Sequence, residues 1–289
     1  MSLLHVVILA IVQGMAELLP VSSSAHVIVT EKLLGMDPAA PETTLLLVML
    51  HTGTMFAVIV YFWRRWMRAF FASTADFKNF IVALVVSTAL TGIVGLGLIE
   101  FIENVLLRHQ PHAWFEQLFD RLDLIAAALG AAGVLILAAG LAKRGSGASV
   151  VAASDVSTNQ ASWIGVVQGF CLPFRGFSRS GATISTGLLA GVPKVRAEDF
   201  SFALAVVLTP PAIAREAWRL IKTNHGSLGP AIHSAVEPSV VGAAFAFLAG
   251  LLALKWLSRW LEAGRWHWFG VYCLVAAAFV AFLRFHLGY

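Results

Sequence analysis

The sequence contains few charged residues. Only 12% of its 289 residues are Asp, Glu, Lys or Arg, whereas a soluble globular domain carries about 25%. The chain is also 58% hydrophobic, so its composition predicts an integral membrane protein. The two cysteines, Cys171 and Cys273, are too few for a disulfide framework, and both lie in apolar surroundings where we expect them to be buried.

The sequence also shows neither a basic patch typical of nucleic-acid binding nor the pattern of a cleavable leader. The formal net charge is +4, and the basic residues lie in short loops between apolar stretches, which gives no sign of a nucleic-acid partner. The N-terminus has neither a basic n-region nor an A-x-A-like cleavage site, so we expect the first apolar stretch to belong to the mature protein.

Six apolar stretches have the length of about 20 residues that crosses a bilayer. They predict an all-α polytopic membrane protein with six transmembrane helices and no soluble domain. The six stretches cover residues 43–63, 80–101, 122–142, 197–217, 238–257 and 268–287.

Two further apolar stretches, residues 3–35 and 162–192, are interrupted by polar residues and proline. Each has room for two half-spans with a break between them. Broken helices occur at membrane depth only where protein or a wet cavity surrounds them, so we predict two re-entrant helical hairpins. A linker rich in Gly, Ser and Ala, residues 143–161, separates the two halves of the chain.

The two halves align when the sequence is shifted by 155 residues. The shift places Gln13 on Gln168, Ser23 on Ser178 and Trp63 on Trp218. Halves 1–142 and 162–289 then each hold one hairpin and three spans, and because three is odd, the second copy enters the membrane upside down. Inverted repeats of this kind form a site between broken helices near the midplane. Chance similarity between apolar helices is the alternative.

Lysine and arginine concentrate on one face of this topology, and the positive-inside rule makes that face cytoplasmic. Both termini are then expected outside the cytoplasm. The basic loops are 64–79, 143–161, 193–196 and 255–267.

The first broken stretch carries a carboxylate, an amide and hydroxyl groups. Gln13 and Glu17 are four residues apart, on one helix face. Pro20 ends that helix, and the serines after it can cap the next helix, whose free N–H groups favour an anion. A carboxylate at membrane depth costs about 2.5–3.5 kcal/mol. We therefore predict that Glu17, with Gln13 as a neutral oxygen ligand, binds Mg²⁺ or Ca²⁺; a structural carboxylate bonded to serines is the alternative.

The second broken stretch carries an anion clamp in residues 175–183. Glycines flank a run of hydroxyl residues around Arg179, and a helix follows. Backbone N–H groups at such a helix start, beside a guanidinium, are predicted to cradle phosphate. The alternative is a capping loop whose arginines reach the membrane interface.

These two motifs together resemble the undecaprenyl-diphosphatase family, also called bacitracin-resistance proteins. The resemblance spans nearly the whole chain. It implies a divalent-metal-dependent enzyme of the bacterial inner membrane that hydrolyses undecaprenyl diphosphate to the monophosphate. That reaction recycles the lipid carrier for peptidoglycan and gives bacitracin resistance, and the pocket would open toward the periplasm. The oligomeric state is left open, a homodimer included.

The resemblance also implies roles for individual residues. Ser23 would be the nucleophile, His26 the acid/base or phosphate-binding group, Glu17 the catalytic carboxylate, and Arg179 a catalytic phosphate clamp. Other phosphate contacts would come from Ser22, Ser178, Ser180, Gly181 and Thr183.

The chain departs from the family pattern at several positions. Gln13 stands where glutamate is common and Arg175 where proline is usual, which puts the metal preference and the rate in question. Ser24-Ala25 replaces Thr-Gly, and the pair Pro210-Pro211 is expected to kink a span.

Two rival functions remain in view. A lipid-phosphate flippase or transporter would use the same inverted repeat, but it needs no nucleophile. Acid-phosphatase-like lipid phosphatases use two histidines in separate motifs, and the second motif here has none.

Three polar residues outside the motifs are expected to have ordinary structural roles. A hydrogen-bonded packing role is expected for His51, and Glu198 and Asp199 suit the start of a helix.

Overall fold

A computed structural model describes residues 2–37, 40–106, 121–142, 156–223 and 230–286. All regular elements in these ranges are helical. In chain order they are α1 (Leu3–Leu18), α2 (Ser23–Leu33), α3 (Pro41–Ala69), α4 (Thr74–Phe101), α5 (Leu122–Leu141), α6 (Thr158–Phe170), α7 (Arg179–Leu189), α8 (Lys194–Thr223), α9 (Pro230–Glu262) and α10 (His267–His286), and a short π-helix, Ile102–Leu106, follows α4.

Six helices are long and apolar enough to cross a membrane, which confirms the all-α polytopic prediction. Each of the six predicted spans corresponds to one of them: α3, α4, α5, α8, α9 and α10. Several begin earlier than their apolar stretch. In α4 the earlier start is capped by Ser73, whose Oγ accepts a hydrogen bond from the N–H of Asp76 at 3.1 Å.

The two interrupted stretches fold as helix pairs with a break at the predicted places. The first helix ends at Leu18 because the next residue precedes Pro20 and is therefore extended, with φ −77° and ψ 153° at Leu19. In the second break Gly176 has φ +108°, and a Cβ there would lie 2.6 Å from the carbonyl oxygen of Ile125. That the two pairs are re-entrant remains a prediction.

Two boundaries differ from the sequence predictions. The linker was placed at 143–161, but α6 already begins at Thr158, because Ser157 and Gln160 form a capping box; residues 143–155 lie outside the described ranges. The helices that follow the breaks begin at Ser23 and Arg179, which are 156 positions apart rather than 155. By backbone position, Ser178 therefore corresponds to Ser22 and not to Ser23.

The predicted kink at Pro210-Pro211 does not interrupt the helix. Helix α8 is continuous from Lys194 to Thr223 through both prolines, and α9 is continuous through Pro238.

The helices divide into two compact units. Part of each of the helices α3, α8 and α9 belongs to one unit and the rest to the other. The first unit comprises Met1–Leu19, Ser23–Trp63 and Ala205–Leu257, and the second comprises Pro20–Ser22, Arg64–Leu204 and Ser258–Tyr289.

The first unit is built on α1 and has small residues at its closest helix contacts. Its core contains Val6, Leu9, Leu46 and Ala246. A Cβ on Gly53 would lie 2.3 Å from the carbonyl oxygen of Ala243. Such small residues allow helix backbones to approach within a membrane protein, where dispersion contacts replace the hydrophobic effect.

The second unit contains two close helix pairs, α4 with α6 and α5 with α10. In α6, Gly165 lies so near α4 that a Cβ would be 2.4 Å from the carbonyl oxygen of Ser87. Thr91 crosses the same contact, since its Oγ1 lies 2.8 Å from the Ser87 carbonyl oxygen and 3.1 Å from that of Gly165. Gln168 donates to Thr91 Oγ1 at 3.1 Å, so this pair is also joined by hydrogen bonds.

A buried ion cluster joins α3, α8 and α9 in the second unit. One guanidinium nitrogen of Arg65 lies 2.8 Å from a carboxylate oxygen of Glu198 and 2.8 Å from one of Asp199. Ser258 Oγ donates to Glu198, and Trp66 Nε1 donates to the backbone oxygen of Asp199. The expectation that both acids serve a helix start is wrong, because α8 begins at Lys194 and has no acid in its first turn. Their side chains are instead almost fully buried against Arg65.

Candidate active site

The first group of predicted site residues includes two polar residues of α1, Gln13 and Glu17. Gln13 is 1% exposed, and its Nε2 donates to Glu17 Oε2 at 3.3 Å. The spacing of four residues brings both side chains to one helix face, as the sequence predicts. The carboxylate of Glu17 is mostly buried, with 16% of its side chain exposed.

Ser23 meets the same carboxylate oxygen. It is the first residue of α2, and its Oγ donates to Glu17 Oε2 at 2.5 Å. The turn after Pro20 therefore brings the predicted hydroxyl onto the predicted carboxylate within the first unit. His26 lies three residues further along α2, on the next turn, where its backbone oxygen accepts from Thr30 Oγ1.

His51 of α3 also faces Glu17. Its Nδ1 is 2.8 Å from the backbone oxygen of Leu47, and its Nε2 is 3.8 Å from Glu17 Oε2. The sequence prediction of a hydrogen-bonded packing role accounts only for the first contact. The available signal was an ionisable side chain inside an apolar span, which by itself suggests a functional site.

The donor atoms around Glu17 suit a divalent cation. The described residues contain no group of three His, Cys, Asp or Glu side chains placed to hold a metal ion. Here one carboxylate lies beside one amide and one imidazole. Carboxylate and amide oxygens are ligands of hard cations, and the imidazole nitrogen is a ligand of transition metals.

The second group lies at the start of α7, in the second unit. Ser178 has φ 56° and ψ 95°, and its Oγ accepts from the N–H of Gly181 at 3.3 Å. A residue with positive φ followed by helical residues turns successive N–H groups toward one side, an arrangement that binds anions. Arg179 is the first helical residue, and Ser180 and Gly181 behind it are buried. This local geometry is compatible with the predicted phosphate cradle.

Thr183 forms hydrogen bonds within α7 and to α8. Its Oγ1 donates to the backbone oxygen of Arg179 at 2.8 Å and lies 2.6 Å from Ser201 Oγ. A hydroxyl has one proton, which the Arg179 carbonyl uses in this conformation. Direct contact between Thr183 and phosphate therefore remains a prediction, while the contact with Ser201 ties α7 to α8.

The first break repeats the backbone conformation of the second. Ser22 has φ 67°, is 3% exposed, and directly precedes the first residue of α2. Positive φ at a residue other than glycine costs about 1–3 kcal/mol and is concentrated at ligand-binding sites. Among the described residues, only Ser22 and Ser178 are non-glycine residues with positive φ, and each stands immediately before a helix that carries a predicted site residue.

The six apolar helices and these polar groups define a polytopic membrane protein with a serine and a carboxylate joined by a hydrogen bond in its first unit. The family model described as "Bacitracin resistance protein BacA" matches residues 6–279, and the chain belongs to that family. The resemblance inferred from the two motifs is confirmed.

Curated relatives match over nearly their full length. Undecaprenyl-diphosphatase 2 of Acinetobacter baylyi is 53% identical over 283 residues, which is 97% of each chain. Undecaprenyl-diphosphatase of Rhodopirellula baltica is 34% identical over 286 residues, 98% of each chain. Undecaprenyl-diphosphatase 2 of Burkholderia orbicola is 35% identical over 290 residues, 96% of each chain.

Proposed function

We propose that this protein hydrolyses undecaprenyl diphosphate to undecaprenyl phosphate and inorganic phosphate. Three relatives from different bacteria carry that activity in their names and align with almost the whole chain. Six membrane-crossing helices suit an enzyme whose substrate has a prenyl chain dissolved in lipid. By recycling the carrier lipid, the reaction would support peptidoglycan synthesis and resistance to bacitracin.

The hydrogen bond between Ser23 and Glu17 carries the mechanistic proposal. Ser23 Oγ attacks the terminal phosphorus, and its proton passes to the Glu17 oxygen that already accepts it at 2.5 Å. The bond from that phosphorus to the bridging oxygen breaks, and undecaprenyl phosphate leaves. Water then hydrolyses the phosphoserine, releases phosphate and restores the hydroxyl. A direct attack by water that Ser23 orients is the alternative for the first step.

Proton transfer from the nucleophile is thus assigned to Glu17 rather than to His26. The resemblance gave His26 an acid/base or phosphate-binding role, and within the proposal it stabilises the leaving phosphate. A divalent cation held by Glu17 and Gln13 would neutralise charge that develops during phosphoryl transfer.

Arg179 and the start of α7 are proposed to hold oxygens of the same diphosphate. An arginine fork matches phosphate geometry, and helix N–H groups favour the anion. This part of the proposal rests on the chemistry of the second group and on the resemblance. The enzyme is further proposed to lie in the bacterial inner membrane with its pocket open to the periplasm.

Phosphate release from a polyprenyl diphosphate by the purified, detergent-solubilised protein tests the proposal. We expect release that a chelator abolishes. We also expect a loss of about 10²-fold or more in Ser23→Ala and in Arg179→Ala, because each removes a group that acts in the transition state. Ser162→Ala and Arg64→Met change residues of the same types outside the predicted motifs and serve as controls; Ser162 is half-buried and Arg64 is exposed.

Two results would count against the proposal. Lipid movement without phosphate release would favour the flippase. Release by Arg179→Ala at the parent rate would remove the arginine from the site.

A further inference from the structure

The orientation of His51 leaves its Nε2 directed at Glu17. Because a carbonyl oxygen accepts hydrogen bonds and never donates them, the 2.8 Å contact with Leu47 places a proton on Nδ1. In the neutral ring, Nε2 then carries a lone pair. That lone pair lies 3.8 Å from Glu17 Oε2 in the first unit.

The ring nitrogen and the carboxylate therefore face each other in a way that would let both bind one cation. A separation of 3.8 Å is too long for a direct hydrogen bond. It leaves room for a metal ion that the imidazole nitrogen and the Glu17 carboxylate would hold together, through bonds of about 2.0–2.2 Å.

The surroundings of His51 have the pattern found around metal-binding histidines. Such a histidine donates its other ring N–H to a backbone carbonyl or a carboxylate, which fixes the tautomer and the ring orientation. Here Leu47 is that acceptor. The carboxylate is oriented in turn by the hydrogen bond from Ser23.

Gln13 supplies a further ligand atom. Its buried amide lies 3.3 Å from the same Glu17 oxygen. The oxygen and nitrogen of an amide exchange places by rotation of the group, so the amide can present oxygen to a cation at this position.

We propose that His51 Nε2, Glu17 and Gln13 together form a mixed nitrogen and oxygen site that binds first-row transition metal ions in preference to Mg²⁺ or Ca²⁺. The inference rests on the proposed function for the use of the ion, but not for its binding. An imidazole ligand favours transition metals, whereas a set of oxygen ligands alone suits Mg²⁺ and Ca²⁺. The neutral glutamine lowers the negative charge of the site, and the imidazole adds a strong donor.

The test uses the full chain in detergent with Mn²⁺ as the probe. Pulsed electron paramagnetic resonance of bound Mn²⁺ detects the ¹⁴N nucleus of a coordinated imidazole. We expect this coupling in the parent protein and its loss in His51→Gln, which keeps an oxygen donor of similar reach. The dissociation constant for Mn²⁺ should rise about tenfold or more in His51→Gln, while that for Mg²⁺ should change much less.

His26→Gln is the matched control, because it removes the other histidine near Ser23. Coupling that persists in His26→Gln and disappears in His51→Gln supports the proposal. Coupling that is absent from the parent, or that follows His26 instead, overturns it. Phosphate release with Mg²⁺ but without nitrogen coupling would refute only the metal site, whereas coupling without phosphate release would refute only the proposed reaction.

Discussion

Replacing Arg65 by methionine should strongly destabilise the protein. Arg65 is the cation of the cluster that joins α3, α8 and α9, and one of its guanidinium nitrogens contacts both Glu198 and Asp199 at 2.8 Å. Methionine preserves much of the side-chain volume but leaves two neighbouring carboxylates without their shared cation.

The size of the effect follows from burial. The side chains of Glu198 and Asp199 are 1% and 3% exposed, whereas that of Arg65 is 25% exposed. Breaking a buried ion pair by removing one partner costs about 3–5 kcal/mol. Since about 1.4 kcal/mol is a factor of ten, the folding equilibrium should shift by about a hundred- to several-thousand-fold. Neutralising the acids as well, in Arg65→Met with Glu198→Gln and Asp199→Asn, should recover most of this loss.

The measurement is denaturant unfolding in mixed micelles, followed by tryptophan fluorescence. Arg64→Met is the control, because Arg64 is the preceding residue and is exposed; surface changes of this kind are usually within about 0.5 kcal/mol. If Arg65→Met unfolds at the same denaturant concentration as Arg64→Met, the cluster contributes no net stability. If the triple variant is no more stable than Arg65→Met, the loss does not come from unpaired charge.

Two further changes test the helix packing and the cation site. Gly165→Ala should destabilise the protein by about 1–3 kcal/mol, because the new Cβ would lie 2.4 Å from the Ser87 carbonyl oxygen. Gly92→Ala is the control. A Cβ there has nothing within 4 Å, so this variant should be neutral or slightly stabilising in the same unfolding assay. Gln13→Glu places a second carboxylate beside Glu17 and should lower the Mg²⁺ concentration for half-maximal phosphate release by about tenfold; an unchanged value would place the cation elsewhere.

The spans and the breaks were predictable because they depend on local sequence. A run of about 20 apolar residues has few alternatives to a spanning helix, so the six long helices occur where expected. Pro20 ends α1 through the restriction it imposes on Leu19. The hydrogen bond from Ser23 to Glu17 then follows, because a short turn brings the start of α2 back to the helix face that carries Glu17.

Contacts between distant segments were not predictable. Arg65 and Glu198 are separated by 133 positions, and nothing in either segment identifies the other as its partner. The approach of His51 to Glu17 was missed for the same reason. Its bond to Leu47 is local and expected, whereas its approach to Glu17 depends on how α3 packs against α1.

The two breaks suggest how one backbone arrangement acquired two chemistries. Ser22 and Ser178 share the positive φ, and the residue after each opens a helix. In the first break that residue is Ser23, the proposed nucleophile, and in the second it is Arg179, the proposed anion clamp. A backbone that turns N–H groups toward an anion suits both proposed roles, because each side chain would act on a phosphate group.

The preceding helices diverged in the same way. Gln13 pairs with Glu17, but Gln168 donates to Thr91 in a packing contact, and the residue four positions later is Leu172, which packs against Gly95. If the halves are an inverted repeat, as proposed, the second lost the carboxylate and kept the cradle. Because leucine stands at the position that corresponds to Glu17, we infer that the acid chemistry belongs to the first break alone.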